Sequence, residues 1–395
     1  MHETHEGPSR RGLYRRMVPR RVDEPHRAAT PLELFFDLCF VVAIALAAAN
    51  LHHEVVDGHV GDGVLGFAMV FFAIWWAWVN FTWFASAYDT DDPLYRLMTF
   101  VQMSGALVLA AGVPRAFEDT DLSLMTAGYV VMRFAMVTQW LRAAHTDPEH
   151  RSCALRYAVG VSIVQVLWVG RLALPHDIAF AGILPLVIAE LAVPVWAEHH
   201  HRTSWHPLHI VERHGLFTII VLGESILAST IALQVAFDSS ETTVSLVSIA
   251  IGGLVIVFSM WWLYFGLEEN RLLDSFAGAF FYGYGHLPVF AAAAAAGAGI
   301  AVIVEHETGH GHISDLTAAL AIAVPVAIYV AGVWFVRILP NTQGILRVAF
   351  PACAGLVLAC APLGAPVVST AVLLALLVAV LVRVNAVELE AASID

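Results

Sequence analysis

The chain has 395 residues, of which 59% are hydrophobic and only 13% are charged, and its formal net charge is −13 at pH 7. Because soluble globular proteins have about a quarter of their residues charged, this composition excludes a soluble enzyme and indicates a protein embedded in a lipid bilayer. All 20 fixed cations are arginine, and no basic patch with interleaved aromatic residues follows the N-terminal region, so we expect no nucleic-acid partner.

The first 30 residues hold seven arginines without apolar periodicity, which predicts a flexible, Arg-rich cytosolic tail (1–30). The apolar runs that follow are long enough to cross ~30 Å of hydrocarbon as helices, and they lack the period of two that a β-barrel requires. We therefore predict an all-α polytopic membrane protein with about 12 transmembrane helices, at about 31–50, 64–87, 94–113, 122–141, 153–172, 177–196, 209–234, 245–266, 275–303, 315–336, 346–362 and 366–386. The last two predicted helices are separated only by the short stretch between Pro362 and Pro366, the weakest separation of the set, so eleven helices is the alternative.

The arginines also predict the orientation of these helices. Seventeen fall in the tail and in segments on the same side as the tail, two (Arg115 and Arg171) fall in loops on the opposite side, and Arg133 lies within the fourth span. Since loops rich in Arg stay in the cytosol, both termini are predicted to be cytosolic, with 390–395 as a short C-terminal tail.

Histidines cluster in loops on both predicted sides. The outer loops 51–62, 237–243 and 305–315 are acidic and contain no Arg, and two of them are rich in His; the inner stretch EHHHR (198–202) is followed by His206 and His209. No HExxH motif or cysteine partner accompanies them, so we interpret them as solvated loops and not as metal sites. No cofactor is predicted.

A weak internal repeat suggests two halves. WWAWVNFTWF (75–84) in the second span has a counterpart in WWLYFGLEEN (261–270) in the eighth, at an offset of 186 residues. Six helices per half make the repeats parallel, an architecture that many transporters and channels use. We predict a first half at 31–200 and a second at 201–389; a homodimeric channel and a rocking transporter both fit such a repeat.

The first span carries two carboxylates. Glu33 and Asp37 are four residues apart and share one helix face. An ionisable group at the centre of a span costs ~2.5–3.5 kcal/mol, so such groups usually face a polar interior. The alternative is a helix-capping role, because carboxylates near a helix N-terminus interact well with its dipole.

The seventh span has the strongest set. Glu212, Arg213 and His214 are expected near the cytosolic interface, where long side chains can reach water. Arg213 and Glu224 are eleven residues apart and return to nearly the same face. Glu224 would lie roughly 22 Å from the cytosolic end, too deep to reach water easily, and we favour a binding role for it.

Other polar residues complete the predicted interior. Arg133 needs either an acidic partner, for which Asp37, Glu190 and Glu224 are the candidates, or a cluster of carbonyl groups. A buried pair of Arg with a carboxylate can also serve only to fix helix packing. His286 precedes Pro288 and can relay protons or make a structural hydrogen bond. Asn80 lies toward the cytosolic side.

Two long motifs, TPLELFFDLCFVVAI (30–44) and HIVERHGLFTIIVLGESIL (209–227), together with YGYGHLP (282–288), resemble the bacterial low temperature requirement protein A family over roughly residues 28–385. The resemblance implies an integral inner-membrane protein associated with growth at low temperature, but no agreed biochemical activity. It draws attention to residues already noted and to one glycine, namely Glu33, Asp37, Glu212, Arg213, Gly223 and Glu224.

These features together predict a multi-pass protein of the bacterial cytoplasmic membrane, in contact with lipid, that acts as a transporter or channel for an ion or small solute. Its polar interior would be lined by the first and seventh spans, with Asp37 and Glu224 as the candidate cation or proton sites. One alternative is an intramembrane lipid-modifying enzyme, although no nucleophile motif, P-loop or GxSxG supports catalysis. The other is a receptor or assembly subunit whose buried charges are structural.

Overall fold

The computed structural model describes residues 15–20, 28–199, 202–238, 244–267, 276–309, 312–342 and 344–392. Within these ranges the secondary structure is entirely helical, which confirms the all-α prediction. The helices are α1 (Pro31–Val56), α2 (Val60–Ala87), α3 (Pro93–Ala111), α4 (Val113–Glu118), α5 (Ser123–Thr146), α6 (Arg151–Arg171), α7 (His176–Ala181), α8 (Ile183–Glu198), α9 (Pro207–Asp238), α10 (Val244–Phe265), α11 (Phe276–Glu307), α12 (Asp315–Val333), α13 (Leu339–Asn341), α14 (Leu346–Cys360) and α15 (Pro366–Ala392).

Eleven helical spans among the described residues are long and apolar enough to cross a membrane. The predicted fourth span forms helix α5, but it is not one of these eleven; it carries Arg133, Gln139 and Arg142. The separation that looked weakest in the sequence is real, because a 3₁₀ turn (Ala361–Leu363) and Gly364 with φ of +89° divide α14 from α15. The chain is thus a polytopic helical membrane protein, while the twelve-helix repeat stays a prediction.

Several helices extend past their predicted ends. Helix α1 continues to Val56, and α11 continues to Glu307. Leu51, Val55 and Val56 are buried, so packing of an apolar face continues α1 beyond the predicted end of its span. The prediction that 51–56 and 305–307 belong to loops is therefore wrong, and His52 and Glu305 are helical.

The helices form two compact units that do not coincide with consecutive halves of the chain. The first contains the described residues up to Cys39 together with Asn80–Gly112 and Leu122–Ile210. The second contains Phe40–Val79, Val113–Asp121 and the described residues from Val211 onward. Helices α1 and α2 each contribute to both units.

In the first unit α3 packs against α5, α5 against α6, and α6 against α8. Helices α3 and α5 approach most closely at two glycines. A Cβ placed on Gly128 would lie only 2.6 Å from the Gly105 carbonyl oxygen and 2.6 Å from the Leu109 nitrogen. Glycine at this crossing lets the two backbones meet, as is common between membrane helices.

The segment 15–20 is anchored on the first unit and is not flexible as predicted for the tail; residues 1–14 and 21–27 lie outside the described residues. Asp92 caps α3 by accepting from the Tyr95 N–H at 2.8 Å, and it accepts from the Arg15 N–H at 2.8 Å. The guanidinium of Arg142 pairs with Asp92 and also donates to the Arg15 carbonyl at 2.7 Å. Met17 is fully buried.

These contacts predict a pH-dependent contribution to stability. Burial alone would raise the pKa of Asp92, but hydrogen bonds from Arg142 and from the Tyr95 and Arg15 N–H groups outweigh it and hold the pKa below its ordinary value of 3.8. A lowered pKa contributes stability above the ordinary value, and that contribution is lost as the pH falls through the folded-state pKa. Asp92→Asn, which keeps a capping side chain, should cost about 1.5–3 kcal/mol at pH 7.

Thermal unfolding in detergent between pH 3 and 7 measures this effect. The difference between parent and Asp92→Asn should shrink below about pH 4. Asp91→Asn is the control, because the Asp91–Arg96 pair is about half exposed and exposed ion pairs contribute little to stability. A parent–variant difference that is constant across this pH range would contradict the assignment.

In the second unit α11 packs along α12, α10 along α15, and α14 against α12 and α15. Gly299 of α11 lies directly against the backbone of Ala321 in α12, where a Cβ would overlap the Ala321 carbonyl. Helix α9 is tied to α11 by Ser225, whose hydroxyl donates to the Ala293 carbonyl at 3.0 Å. The small residues of α11 thus allow close helix packing on both sides.

Candidate functional site

A cavity of about 610 Å³ lies between α1, α9 and α11 in the second unit. Its lining residues recur at helical spacing, so one face of each helix borders the space. The lining consists of Ala45, Leu46, Ala48, Ala49 and His52 on α1, Glu224, Leu227, Ala228, Ile231 and Val235 on α9, and Gly297, Ala298, Ala301, Val304, Glu305 and Thr308 on α11. We call this space the Glu224 cavity; its walls are mainly apolar.

Glu224 and the other ionisable groups occupy opposite ends of this cavity. Ser225, next to Glu224, lies against Gly297 of α11. At the other end His52 Nε2 is 2.7 Å from Glu305 Oε2, which joins α1 to α11. Glu305 is eight residues beyond Gly297, a distance of roughly 12 Å along the helix.

The Glu224 carboxylate is the unusual group. Its side chain is half-buried within a membrane-spanning helix. In the part of the chain that the structure describes, no residue donates a hydrogen bond to Glu224 or forms an ion pair with it. A charged group in such surroundings is costly without compensation, so the carboxylate can bind a cation or a proton.

The His52–Glu305 pair was not among the sequence-predicted residues, because both positions were assigned to loops. The His52 side chain is 16% exposed and that of Glu305 is 33% exposed. Thr308 donates its hydroxyl to the Glu305 carbonyl at 3.0 Å. The helical spacing of Ala45, Ala49 and His52 is the signal that could have placed His52 on the cavity face.

A second polar group in this unit is fully buried. The rings of His214 and His286 lie 4.8 Å apart, and both side chains have no exposed surface. His286 Nε2 is 2.9 Å from the Tyr264 hydroxyl, and its Nδ1 is 2.6 Å from the Tyr282 carbonyl. Since a carbonyl only accepts, Nδ1 carries the proton and Nε2 accepts from Tyr264 in the neutral ring. We call these residues the His286 cluster.

Arg337 supports the His286 cluster from a π-helical segment (Trp334–Ile338) that follows α12. Its guanidinium donates to the carbonyls of Tyr264, at 2.7 Å, and Leu267, at 3.2 Å. These carbonyls lie at the C-terminal end of α10, where a cation is favourable. π-Helical turns often mark functional positions, but no sequence pattern predicted this one.

Among the described residues no three His, Cys, Asp or Glu side chains are grouped so that they could hold a metal ion.

Comparison with known proteins identifies the family to which the chain belongs. A family model described as "Bacterial low temperature requirement A protein (LtrA)" matches residues 28–386, nearly the whole chain. The chain belongs to the LtrA family. The resemblance seen in the motifs is thus confirmed.

A curated relative of this LtrA family member is an uncharacterized protein of Rhizobium meliloti (strain 1021). The two are 30% identical over 281 residues, which is 65% of this chain and 65% of the relative's length. No solved structure matches the chain.

The first unit of this LtrA protein contains a buried ion pair. Arg133 Nη2 donates to Glu190 Oε2 at 2.9 Å, and the two residues are only 4% and 3% exposed. Of the three acidic partners that the sequence offered for Arg133, the structure selects Glu190. The ring of Tyr129 lies 5.3 Å from the guanidinium carbon. The pair joins α5 to α8.

Glu33 has a capping role at the start of α1. The Glu33 N–H donates to the Thr30 hydroxyl at 3.3 Å, and the Thr30 N–H donates to Glu33 Oε2 at 2.8 Å, a reciprocal capping box. Glu33 Oε1 is also 3.0 Å from His209 Nε2. His206 and His209 are buried, so the interpretation of these two histidines as part of a solvated loop is wrong.

The remaining predicted residues differ in burial. Asp37 and Arg213 have no exposed surface, whereas Asn80 and Glu212 are half-buried. The structure therefore brings together Arg133 with Glu190 and His214 with His286, and it places Glu224 alone of the ten on the cavity wall. A transport role for any of these residues stays a prediction.

Proposed function

We propose that this LtrA family member transports an ion or small solute across the bacterial cytoplasmic membrane, with Glu224 as its binding carboxylate. The observation that carries the proposal is the Glu224 cavity itself: a half-buried carboxylate without a protein partner among the described residues faces about 610 Å³ of space. Cavities of this volume commonly hold small molecules.

The contrast with the first unit supports a functional role. Arg133 and Glu190 compensate each other directly, and Glu33 is compensated by a capping box and His209. Charges with such partners can be explained by helix packing alone. Packing does not explain Glu224, because neutral glutamine would fill the same volume without the cost of burying charge.

The predicted orientation places this cavity in the outer half of the bilayer. With both termini cytosolic, α9 runs outward and Glu224 lies seventeen residues from its first residue, roughly 26 Å. The solute would then enter from the outside, past the His52–Glu305 pair, and reach Glu224 at the inner end. In the same orientation, His214 of the His286 cluster lies ten residues before Glu224 on α9, roughly 15 Å closer to the cytosol.

The alternative function, a receptor or assembly subunit with structural buried charges, is also supported by specific contacts. The Arg133–Glu190 and Glu33–His209 pairs are structural devices of the kind it expects. It assigns no role to an uncompensated Glu224, and for this reason transport is the better account.

The test is flux through proteoliposomes that contain the purified protein, with protons, sodium, potassium and a panel of small organic cations. We expect Glu224→Gln to lower the transported flux at least about tenfold, which corresponds to about 1.4 kcal/mol. Glu118→Gln is the matched control, because it is the same change at an exposed position of the same unit, outside the cavity lining. Flux that persists unchanged in Glu224→Gln would remove Glu224 from the transport path.

A further inference from the structure

From the lining of the Glu224 cavity we infer the class of solute: a primary or secondary alkylammonium ion, with its charged nitrogen at Glu224 and its apolar chain along α9. This inference rests on the proposed function for transport, but its binding component can be tested alone.

Among the described residues, the cavity presents one carboxylate that has no protein partner. Of its two carboxylates, that of Glu305 is paired with His52 at 2.7 Å. Glu224 has no such partner in the described part of the chain. A ligand that neutralises the Glu224 carboxylate therefore carries one positive charge, and an anion would be repelled.

A bare inorganic cation does not fit the donor set. Hard cations require about six or more oxygen ligands when they lose their water. Helices α9 and α11 are continuous through 224 and 297, so their backbone carbonyls are engaged within the helices. One carboxylate and the distant Thr308 cannot replace a hydration shell.

The rest of the cavity lining favours a ligand whose uncharged part is apolar. Twelve of the sixteen lining residues are apolar, and the alanines at 45, 49, 228 and 301 leave the space open. From Glu224 the wall continues through Ile231 to Val235, eleven residues or roughly 16 Å. Each buried methylene of a ligand chain would then strengthen binding by up to about fourfold.

The nitrogen is expected to carry hydrogens. None of the sixteen described lining residues is Phe, Tyr or Trp, so the cavity lacks the aromatic cage that recognises quaternary ammonium groups. A primary or secondary ammonium can instead donate a charge-assisted hydrogen bond to the carboxylate. This distinguishes n-hexylammonium from hexyltrimethylammonium, which has a similar charge and chain but no N–H.

Calorimetric titration of the protein in lipid nanodiscs tests the inference, with n-hexylammonium as the probe. We expect binding that is at least about tenfold tighter than that of hexyltrimethylammonium or 1-hexanol, and about a hundredfold tighter than that of methylammonium. Glu224→Gln should weaken hexylammonium binding at least about tenfold, whereas Glu118→Gln, at an exposed position of the same unit outside the cavity lining, should leave it unchanged. Glu224→Asp, which keeps the charge, should retain binding and shows that any loss in Glu224→Gln is not a folding defect.

Each other outcome overturns a defined part of the account. Hexylammonium heats that are equal in parent and Glu224→Gln would show partitioning into lipid and contradict the inference. Glu224-dependent flux of sodium, potassium or protons without hexylammonium binding would overturn the solute class and leave transport intact. Glu224-dependent hexylammonium binding without flux of any solute would support the site and overturn transport, and the absence of both would overturn both.

Discussion

Replacing Arg133 with alanine is expected to destabilise the protein by about 3–5 kcal/mol, the range observed when one partner of a buried ion pair is removed. The variant leaves the Glu190 carboxylate buried, at 3% exposure, without the guanidinium that is 2.9 Å away in the parent. Glu190→Ala should cost a similar amount, because it strands the Arg133 cation. Titration with a denaturing detergent, followed by tryptophan fluorescence, measures the loss.

The double variant Arg133→Met with Glu190→Leu is the control. It removes both charges and keeps similar side-chain volumes, and replacing a buried pair in this way is often neutral or stabilising. If the single variants are no less stable than the double variant, the pair does not join α5 to α8 as the geometry indicates. The exchange of Arg and Glu between the two positions should restore most of the stability and leave transport intact.

Filling the Glu224 cavity is expected to abolish transport without unfolding the protein. Ala301→Trp introduces an indole into a wall position of α11 that faces about 610 Å³ of space. Because the side chain enters an existing space, the cost in stability should stay below the ~1–3 kcal/mol typical of overpacked cores. The solute loses its place beside α9, so we expect at least a tenfold loss of flux.

Ala375→Trp is the matched control, because Ala375 lies on an exposed face of α15 in the same unit. Its flux should remain within about twofold of the parent. An Ala301→Trp variant that folds and transports normally would show that the cavity is not on the path of the solute.

The sequence alone was sufficient for the parts of the fold that depend on hydrophobic length. Within the described residues, the predicted spans fall on helices α1 to α15 except for one to three residues at some of their ends. The sixth span is divided into α7 and α8 at Gly182, and the α14–α15 break lies, as predicted, between Pro362 and Pro366. The helix ends were less predictable, because tertiary packing of Leu51 and Val55 extends α1 past the point where the apolar run becomes polar.

The candidate site was predictable in part, for a physical reason. Glu224 could be selected because a charge so far from both ends of an apolar run requires a compensating environment. His52 and Glu305 were missed because they lie beyond the apolar runs, where a charged residue costs little and carries no signal. The sequence limited the acidic partner of Arg133 to three candidates. It could not select Glu190 among them, since that choice depends on how α5 packs relative to α8.

The central claim, that the Glu224 cavity is part of a transport path, can be tested without knowledge of the solute. Ala228 lies one turn beyond Glu224 on the cavity wall. The Ala228→Cys variant can be treated with a membrane-impermeant thiol reagent from either side of oriented vesicles. Val166→Cys, on an exposed face of α6, serves as the lipid-facing control. A transporter that alternates access around a fixed site predicts labelling of Ala228→Cys from both sides and of Val166→Cys from neither. Labelling of Ala228→Cys from one side only, or from neither, would contradict the transport account.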